Sequence, residues 1–176
     1  KEAVLMLGMQ ERHGATGEDA ALGYIKDWID WHMDRGYRIN RSDTVVPATS
    51  ALYLYDQLGD DTYLAPVQDA RAYLAGPAPR LDDGTIAHAI FTPNQAWVDS
   101  SFMLGTFFTL DGALGGEATA FDQCAEQFRL FHGHLISSRT GFLWHEYNEA
   151  IDSHFPFTQT FWGRGNGWFF ASLSLL

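Results

Sequence analysis

Four segments with the apolar periodicity of a helix constrain the fold more than any other feature. They form two pairs, and a glycine turn joins the members of each pair. Apolar residues recur at three and four positions, which is the spacing of one helix face. Gly59 lies in the first turn and Gly115 in the second. We therefore predict two helical hairpins of the same kind, which favours a repeat architecture. The predicted helices are residues 43–58, 63–74, 97–114 and 118–136.

A further amphipathic helix precedes these hairpins. Ile25, Ile29 and Met33 fall on one face of residues 19–35, and Gly36 supplies a stop. The chain has no linker or low-complexity segment, so we predict a single all-α domain over residues 1–176.

Two stretches between the helices are predicted to be short strands. Residues 85–89 follow an Asp-Asp-Gly turn, and residues 142–147 follow Thr140 and Gly141. Each ends near a histidine. Because irregular loops at one end of a helical scaffold commonly carry chemistry, we expect the functional site there.

Charge and composition exclude several classes of partner. The chain has 22 acidic and 11 basic residues, a net charge of −11, so a nucleic acid would be repelled. No apolar run approaches the length that spans a bilayer, so we predict no membrane partner. Cys124 is the single cysteine, which excludes an internal disulfide or a multi-cysteine zinc site. The histidines show no tight ligand spacing, and we predict no metal and no cofactor.

The ends of the chain favour a piece of a longer protein. The sequence opens without Met and stops inside an apolar run at residues 174–176. No cleavage site follows the short apolar stretch at residues 1–9, so no signal peptide is predicted. Low cysteine use slightly favours a cytoplasmic location over secretion.

Asp99 is the first candidate for catalysis. In a helix that begins near Gln95, it shares a face with Phe102 and Met103. A carboxyl held against that apolar face is partly desolvated, which suits a general acid. The alternative, which the spacing alone favours, is an ordinary first-turn acid that complements the helix dipole.

Asp43 has an equally simple structural alternative. Ser42 and Asp43 precede a predicted helix with Pro47 in its first turn, which is a capping pattern. As a functional residue, Asp43 would be the second carboxylate of an acid/base pair. From the residues alone the cap is the better interpretation.

The remaining candidates are two histidines and an arginine. His88 and His145 lie beside aromatic residues and could equally be buried structural histidines. Arg164 lies in residues 161–168, Phe-Trp-Gly-Arg-Gly-Asn-Gly-Trp, where glycines permit close approach and its guanidinium fork matches a carboxylate. A tight turn with Arg164 paired to a local acid is the alternative.

Aromatic residues are abundant, at 15% with six Trp, which mildly favours a sugar-binding cleft. Tyr24, Trp28 and Trp31 recur at three- and four-residue spacing on the first predicted helix and would be core or cleft wall.

Residues 95–99 (Gln-Ala-Trp-Val-Asp) and 161–168 make the chain resemble the unsaturated rhamnogalacturonyl and glucuronyl hydrolases, glycoside hydrolase families 105 and 88. Residues 24–30 and 140–145 fit the same families in order, as do Asp43 and His88. The resemblance implies an (α/α)6 toroid, here a partial one with short β-hairpins at one end.

The resemblance also implies a reaction. These enzymes release a terminal 4,5-unsaturated uronic acid from oligosaccharides made by polysaccharide lyases, by hydrating the C4=C5 bond. Asp99 matches the catalytic acid/base and Asp43 the second essential carboxylate. The sugar-binding candidates are His88, His145, Trp162, Arg164, Trp97 and Tyr24.

Three other functions stay open at this point. A same-fold epimerase would use paired histidines in the cleft, a place that His88 and His145 could fill. A conventional glycosidase would use two carboxylates at the anomeric centre. A non-catalytic sugar-binding remnant would bind without turnover.

Overall fold

The structure is a computed structural model that describes residues 2–174, and helices dominate it. It confirms the all-α prediction. Of the predicted apolar run at residues 174–176, the last two positions lie outside the described residues. The helices are α1 Glu2–Thr16, α2 Asp19–Arg35, α3 Pro47–Leu58, α4 Leu64–Ala75, α5 Val98–Ala113, α6 Thr119–Leu135 and α7 Gly163–Leu173.

The helices form two layers of a partial (α/α) toroid. Consecutive helices pack as the hairpins α1/α2, α3/α4 and α5/α6, and α1, α3, α5 and α7 pack side by side in chain order. The odd-numbered helices therefore form an inner row, and α1, α3 and α5 each have their hairpin partner outside the row. Since every even-numbered helix returns the chain, the odd-numbered helices run in the same direction.

The core lies between the two rows. Ile25 of α2, Leu52 of α3, Phe107 of α5 and Phe131 of α6 are almost completely buried. Helix α5 is the most enclosed because it packs on α3, α6 and α7 at once. A second, smaller cluster that includes Phe102 lines the inner side of the row.

Three short strands lie at the end where the inner helices begin. Strands β1 Gln95–Trp97, β2 Glu146–Asn148 and β3 Ser153–Phe155 form an antiparallel sheet in that order. β1 leads directly into α5, and β2 belongs to the predicted segment 142–147, whose earlier part makes only a single bridge between Leu143 and Ile136.

The strand predicted at residues 85–89 is wrong. Its amide groups bond to unrelated partners: Ile86 to the Gln127 side chain, Ala87 to Pro79 and His88 to Gln95. A ladder needs successive bonds to one neighbouring strand, and here only isolated bridges form.

The predicted cap at Ser42 and Asp43 is also wrong. Residues Ser42–Thr44 form a separate one-turn 3-10 helix, and α3 begins only at Pro47, without a side-chain cap. The Ser42 hydroxyl turns into the core instead, and Asp43 is left free for other contacts. The helix α1, which the sequence analysis did not predict, completes the inner row.

Candidate active site

Five of the predicted site residues form one continuous row of rings and charge. The His88 ring stacks on Trp97 with centroids 4.1 Å apart and planes 3° apart. The His145 ring contacts Trp97 and Trp162, each at 5.0 Å. The Arg164 guanidinium lies over the Trp162 ring at 4.3 Å, within cation–π distance. The row joins the start of α5 to the start of α7.

Asp99 lies in the first turn of α5 and faces this row. Its Oδ2 is 3.3 Å from Nε2 of His145, and its side chain is 19% exposed. The two groups are close but not oriented for a hydrogen bond, and within residues 2–174 nothing else bonds this buried oxygen. A buried carboxylate oxygen without a partner is costly, so it marks a place that a ligand or water completes.

Asp43 is the carboxylate that lies next to His88. Its Oδ2 is 3.8 Å from Nε2 of His88 and 3.6 Å from Nε of Arg41. The side chain is 40% exposed. The charges of Asp43 and Asp99 both act to raise the pKa of His88.

His88 is held by two buried hydroxyls. Its Nδ1 is 3.1 Å from Oγ of Ser42 and 3.1 Å from Oγ of Ser100, and the two hydroxyl oxygens are 2.9 Å apart. Burial lowers the pKa of His88, an effect that the charges of Asp43 and Asp99 oppose but do not outweigh. The neutral imidazole therefore presents Nε2 to Asp43 at neutral pH.

Arg164 is exposed at the start of α7, and no carboxylate within residues 2–174 pairs with it. A local acid partner, the alternative raised by the sequence, is thus not found in the described part of the chain. Next to it, Gly165 packs so closely that a Cβ would lie 2.5 Å from the Trp162 ring and 2.7 Å from Val98. The glycine lets α7 bring Arg164 and Trp162 against α5.

Tyr24 is not brought to this row. It lies on α2 with 50% of its surface exposed, and among the described residues no hydrogen bond or ring contact joins it to the site. Trp28, one helical turn further along, instead lines a cavity of about 380 Å³ together with Arg41 and Asp43. A larger cavity of about 650 Å³, between α4 and α6, contains none of the predicted site residues.

Three functional candidates were missed from the sequence. Ser42 was interpreted as a cap, and Ser100 is one of several serines with no pattern to mark it. Glu146 follows His145 directly, yet its position on the site side depends on the pairing of β2 with β1, Trp97 lying opposite Glu146.

Within residues 2–174, no group of three or more His, Cys, Asp or Glu side chains is arranged to hold a metal ion. No helix in that part of the chain is both long and apolar enough to cross a bilayer.

The partial helical toroid, with its carboxylates, histidines and aromatic rings, defines a glycoside hydrolase domain of the (α/α) toroid class. The match is specific at the level of sequence: residues 1–176 match Glycosyl Hydrolase Family 88, and the chain belongs to that family.

The chain is also similar to proteins of related name and fold. It is 28% identical over 173 residues to the unsaturated rhamnogalacturonyl hydrolase YesR of Bacillus subtilis, covering 94% of this chain and 49% of that protein. The chain thus spans about half the length of this curated relative.

Solved structures share the fold at lower identity. A possible member of the GH105 family from Salmonella enterica superimposes with a TM-score of 0.86 at 24% identity, over 99% of this chain and 48% of that one. A family 88 glycosyl hydrolase from Bacteroides vulgatus gives a TM-score of 0.71 at 20% identity, over 98% of this chain and 52% of that one. These likenesses concern the fold.

Proposed function

We propose that the intact protein is an unsaturated uronyl hydrolase of the rhamnogalacturonan type. It would remove a terminal 4,5-unsaturated uronic acid from lyase-generated oligosaccharides. Membership of family 88 supports the hydrolase class, and the similarity to an unsaturated rhamnogalacturonyl hydrolase favours this substrate over glycosaminoglycan fragments.

The observation that carries the proposal is the state of Asp99. Its Oδ2 is buried, lies beside His145 and has no hydrogen-bond partner within residues 2–174. The Asp99 side chain as a whole is 19% exposed and lies beside His145, whose ring contacts Trp97 and Trp162. The apolar face of a pyranose packs on rings of this kind. A sugar placed there has its reacting atoms next to a carboxyl group that is otherwise unengaged.

In the proposed reaction, Asp99 gives its proton to C4 of the enol ether, and the positive charge that develops at C5 is shared with the ring oxygen. Water then adds to C5 and returns a proton to the Asp99 carboxylate, so the residue acts as acid and then as base. The C5 hemiketal opens, the ring bond breaks, and the glycosidic bond is lost with release of the neighbouring sugar. No attack on the anomeric carbon is needed, unlike in the usual two-carboxylate scheme.

The other residues would bind and orient the substrate. Arg164, unpaired with any carboxylate of the described chain, would hold the uronate carboxylate through its guanidinium fork. Asp43 would accept hydrogen bonds from a sugar hydroxyl and the attacking water, with His88 fixing its position. Trp97, Trp162 and His145 would form the wall of the sugar site.

The test uses the absorbance of the unsaturated uronate in the near ultraviolet, which hydration destroys. The intact protein is incubated with unsaturated rhamnogalacturonan and chondroitin disaccharides. We expect decay, faster with the first, and we expect Asp99→Asn to slow it by at least about 100-fold. The control Asp122→Asn, on the exposed face of α6, keeps the parent rate.

Each contrary outcome identifies an alternative. Absence of decay with every unsaturated uronide contradicts the proposal. If the uronide then binds without turnover, the protein is a sugar-binding protein, whereas cleavage or epimerisation of saturated sugars indicates a conventional glycosidase or an epimerase. Near-normal activity of Asp99→Asn contradicts the assignment of the acid.

A further inference from the structure

The three-stranded sheet has one side that packs on the helices and one that does not. On the packed side, Ala96 is completely buried and the Tyr147 ring stacks on His134 of α6 with centroids 4.7 Å apart. His154 lies on the same side, opposite Tyr147 in the register. The other side of the sheet carries Trp97, which contacts His88 and His145, and it is therefore the site-facing side.

The register places three side chains in one line on this site-facing side. Trp97 of β1 pairs with Glu146 of β2, which pairs with Phe155 of β3. Residues directly opposite in an antiparallel pair point to the same side, so the line runs across all three strands. Two strand spacings separate its ends by about 10 Å, enough for two successive sugar rings.

The first member of the line belongs to the active site. Trp97 stacks on His88 and contacts His145, and the Trp97 indole Nε1 donates to Oε1 of Gln95 at 3.0 Å. A sugar chain that starts on Trp97 and follows the sheet would meet Glu146 next.

Glu146 is a half-buried carboxylate that the protein itself does not use. Within residues 2–174, no hydrogen bond or ion pair engages it, although its neighbours on the sheet are Trp97 and Phe155. Burial raises the pKa of Glu146, and the charge of His145 opposes this shift. Ligand-binding clefts commonly contain a few polar groups that bond to the ligand and not to the protein, and these groups provide specificity.

Phe155 ends the line as an exposed ring. It is 47% exposed and contacts Phe157 edge to face at 5.9 Å, and Phe157 is itself 74% exposed. Exposed aromatic rings next to a polar cleft offer a flat apolar surface for a ligand. The position of Phe155 in the same line as Trp97 distinguishes it from an isolated surface aromatic.

We propose that Glu146 and Phe155 bind the sugar unit that follows the uronate and select a neutral sugar over a sulfated or acidic one. This inference rests on the proposed function and specifies which residues determine its substrate preference. The carboxylate would accept hydrogen bonds from free hydroxyl groups, and Phe155 would pack on the apolar face of the ring.

The chemistry of the carboxylate explains the selection. An ionised Glu accepts hydrogen bonds and cannot donate them, so it suits hydroxyl donors and not sulfate or carboxylate oxygens. Placing a like charge beside the carboxylate costs free energy, which disfavours an anionic sugar at this position.

The experiment compares Glu146→Gln with the parent on three unsaturated disaccharides, in which the uronate is followed by a neutral deoxyhexose, an unsulfated amino sugar or a sulfated amino sugar. We expect the variant's KM for the neutral substrate to rise about three- to tenfold with kcat little changed. Its preference for the neutral over the sulfated substrate, as a ratio of kcat/KM, should fall by at least as much.

Two further variants complete the design. Glu126→Gln makes the same chemical change on exposed α6, where the carboxylate pairs with Arg129, and keeps the parent preference. Phe155→Ala should raise KM for all three substrates without changing the preference between neutral and sulfated ones. It tests the aromatic part independently of the charge.

The outcomes separate this inference from the proposed function. If the parent turns over unsaturated uronides and Glu146→Gln keeps the parent KM and preference, this inference alone is wrong. If the parent turns over none of them, the proposed function is wrong and this inference with it. Loss of kcat at unchanged KM in Glu146→Gln would also overturn it, because that result indicates a role in the chemical step.

Discussion

His88 shows how much of a residue's role is set by its partners. Ser42 and Ser100 occupy Nδ1, Asp43 faces Nε2, and Trp97 covers one side of the ring. With both nitrogens and a face engaged, the ring has little freedom to turn. A histidine held in this way can position a carboxylate, and its protonation state becomes part of the stability of the fold.

His88 should make stability depend on pH. In the folded chain burial lowers the pKa of His88, whereas the unfolded chain keeps the ordinary value of about 6.5. Below that pH His88 is protonated in the unfolded state but still neutral in the native state. The free energy of unfolding therefore falls as the pH drops towards the pKa of His88 in the folded chain. We expect His88→Asn to show a smaller fall in urea midpoint between about pH 7.5 and pH 5.

The control for this prediction is a histidine elsewhere in the chain. His132 is exposed on α6, and within residues 2–174 it forms no ion pair with Asp43 or Asp99, so His132→Asn should keep the parent's pH dependence. An equal pH dependence in His88→Asn and the parent would mean that another group titrates.

Arg164 should contribute to binding more than to the chemical step. Truncation by Arg164→Ala removes a charge-assisted fork, and we expect KM for an unsaturated uronide to rise about tenfold or more with a smaller effect on kcat. Arg164→Lys keeps the charge but not the fork, so it should give an intermediate KM. Steady-state kinetics measure these KM values, and an unchanged KM in Arg164→Ala would contradict the proposed contact between Arg164 and the uronate carboxylate.

Among the elements, four helices were predicted closely, whereas α1 was not predicted and the pairing of the strands could not be. The predicted helices 19–35, 63–74, 97–114 and 118–136 agree with α2, α4, α5 and α6 to within one residue at each end, because apolar periodicity and glycine stops are local signals. The sheet depends on contacts between residues about 50 positions apart, as between Trp97 and Glu146, and no local pattern encodes that register.

In the candidate site, too, some residues could be predicted from local sequence and others depend on tertiary contacts. Asp99, Trp97, Trp162 and Arg164 lie in motifs that can be read along the chain. Ser42 follows a capping pattern, but its hydroxyl is drawn to His88 and Ser100, 46 and 58 positions away in the sequence. Tertiary contact overrode the local preference there, and only the fold reveals it.

The approach of α7 to α5 is the element-level feature most open to test. Gly165→Ala would place a methyl group 2.5 Å from the Trp162 ring and 2.7 Å from Val98, so Trp162 or the whole helix must move. We expect a loss of stability of about 1–3 kcal/mol and a clear drop in kcat/KM. Urea denaturation and the uronide absorbance assay measure the two effects.

Gly167 provides a matched control in the same helix. A Cβ at Gly167 meets nothing within 4 Å, so Gly167→Ala gains helix propensity and should stabilise the protein by up to about 1 kcal/mol. Equal effects of the two substitutions would mean that the α5–α7 contact does not limit the position of Trp162.

For the molecule as a whole, the proposed substrate carries the same sign of charge as the protein. The chain has a net charge of −11, and the site itself contributes Asp43, Asp99 and Glu146. Arg41 is already close to Asp43, which leaves Arg164 as the cation without a carboxylate partner in the described part of the site. A uronate would thus be attracted by Arg164 and repelled by the acidic residues of the site and the net negative charge of the chain.

This balance predicts that the KM for an unsaturated uronide responds to salt differently in Arg164→Ala and in the parent. Mobile ions screen charges beyond about 10 Å at 0.1 M ionic strength, so added salt weakens the broad repulsion and also part of the attraction to Arg164. In Arg164→Ala only repulsion is left, and its KM should fall about twofold or more from low salt to 0.3 M. In the parent, KM should stay constant or rise over the same range. Arg129→Ala removes a positive charge that is exposed on α6 and pairs with Glu126, and this variant should behave like the parent. A KM for Arg164→Ala that rises with salt would show that other cations hold the uronate.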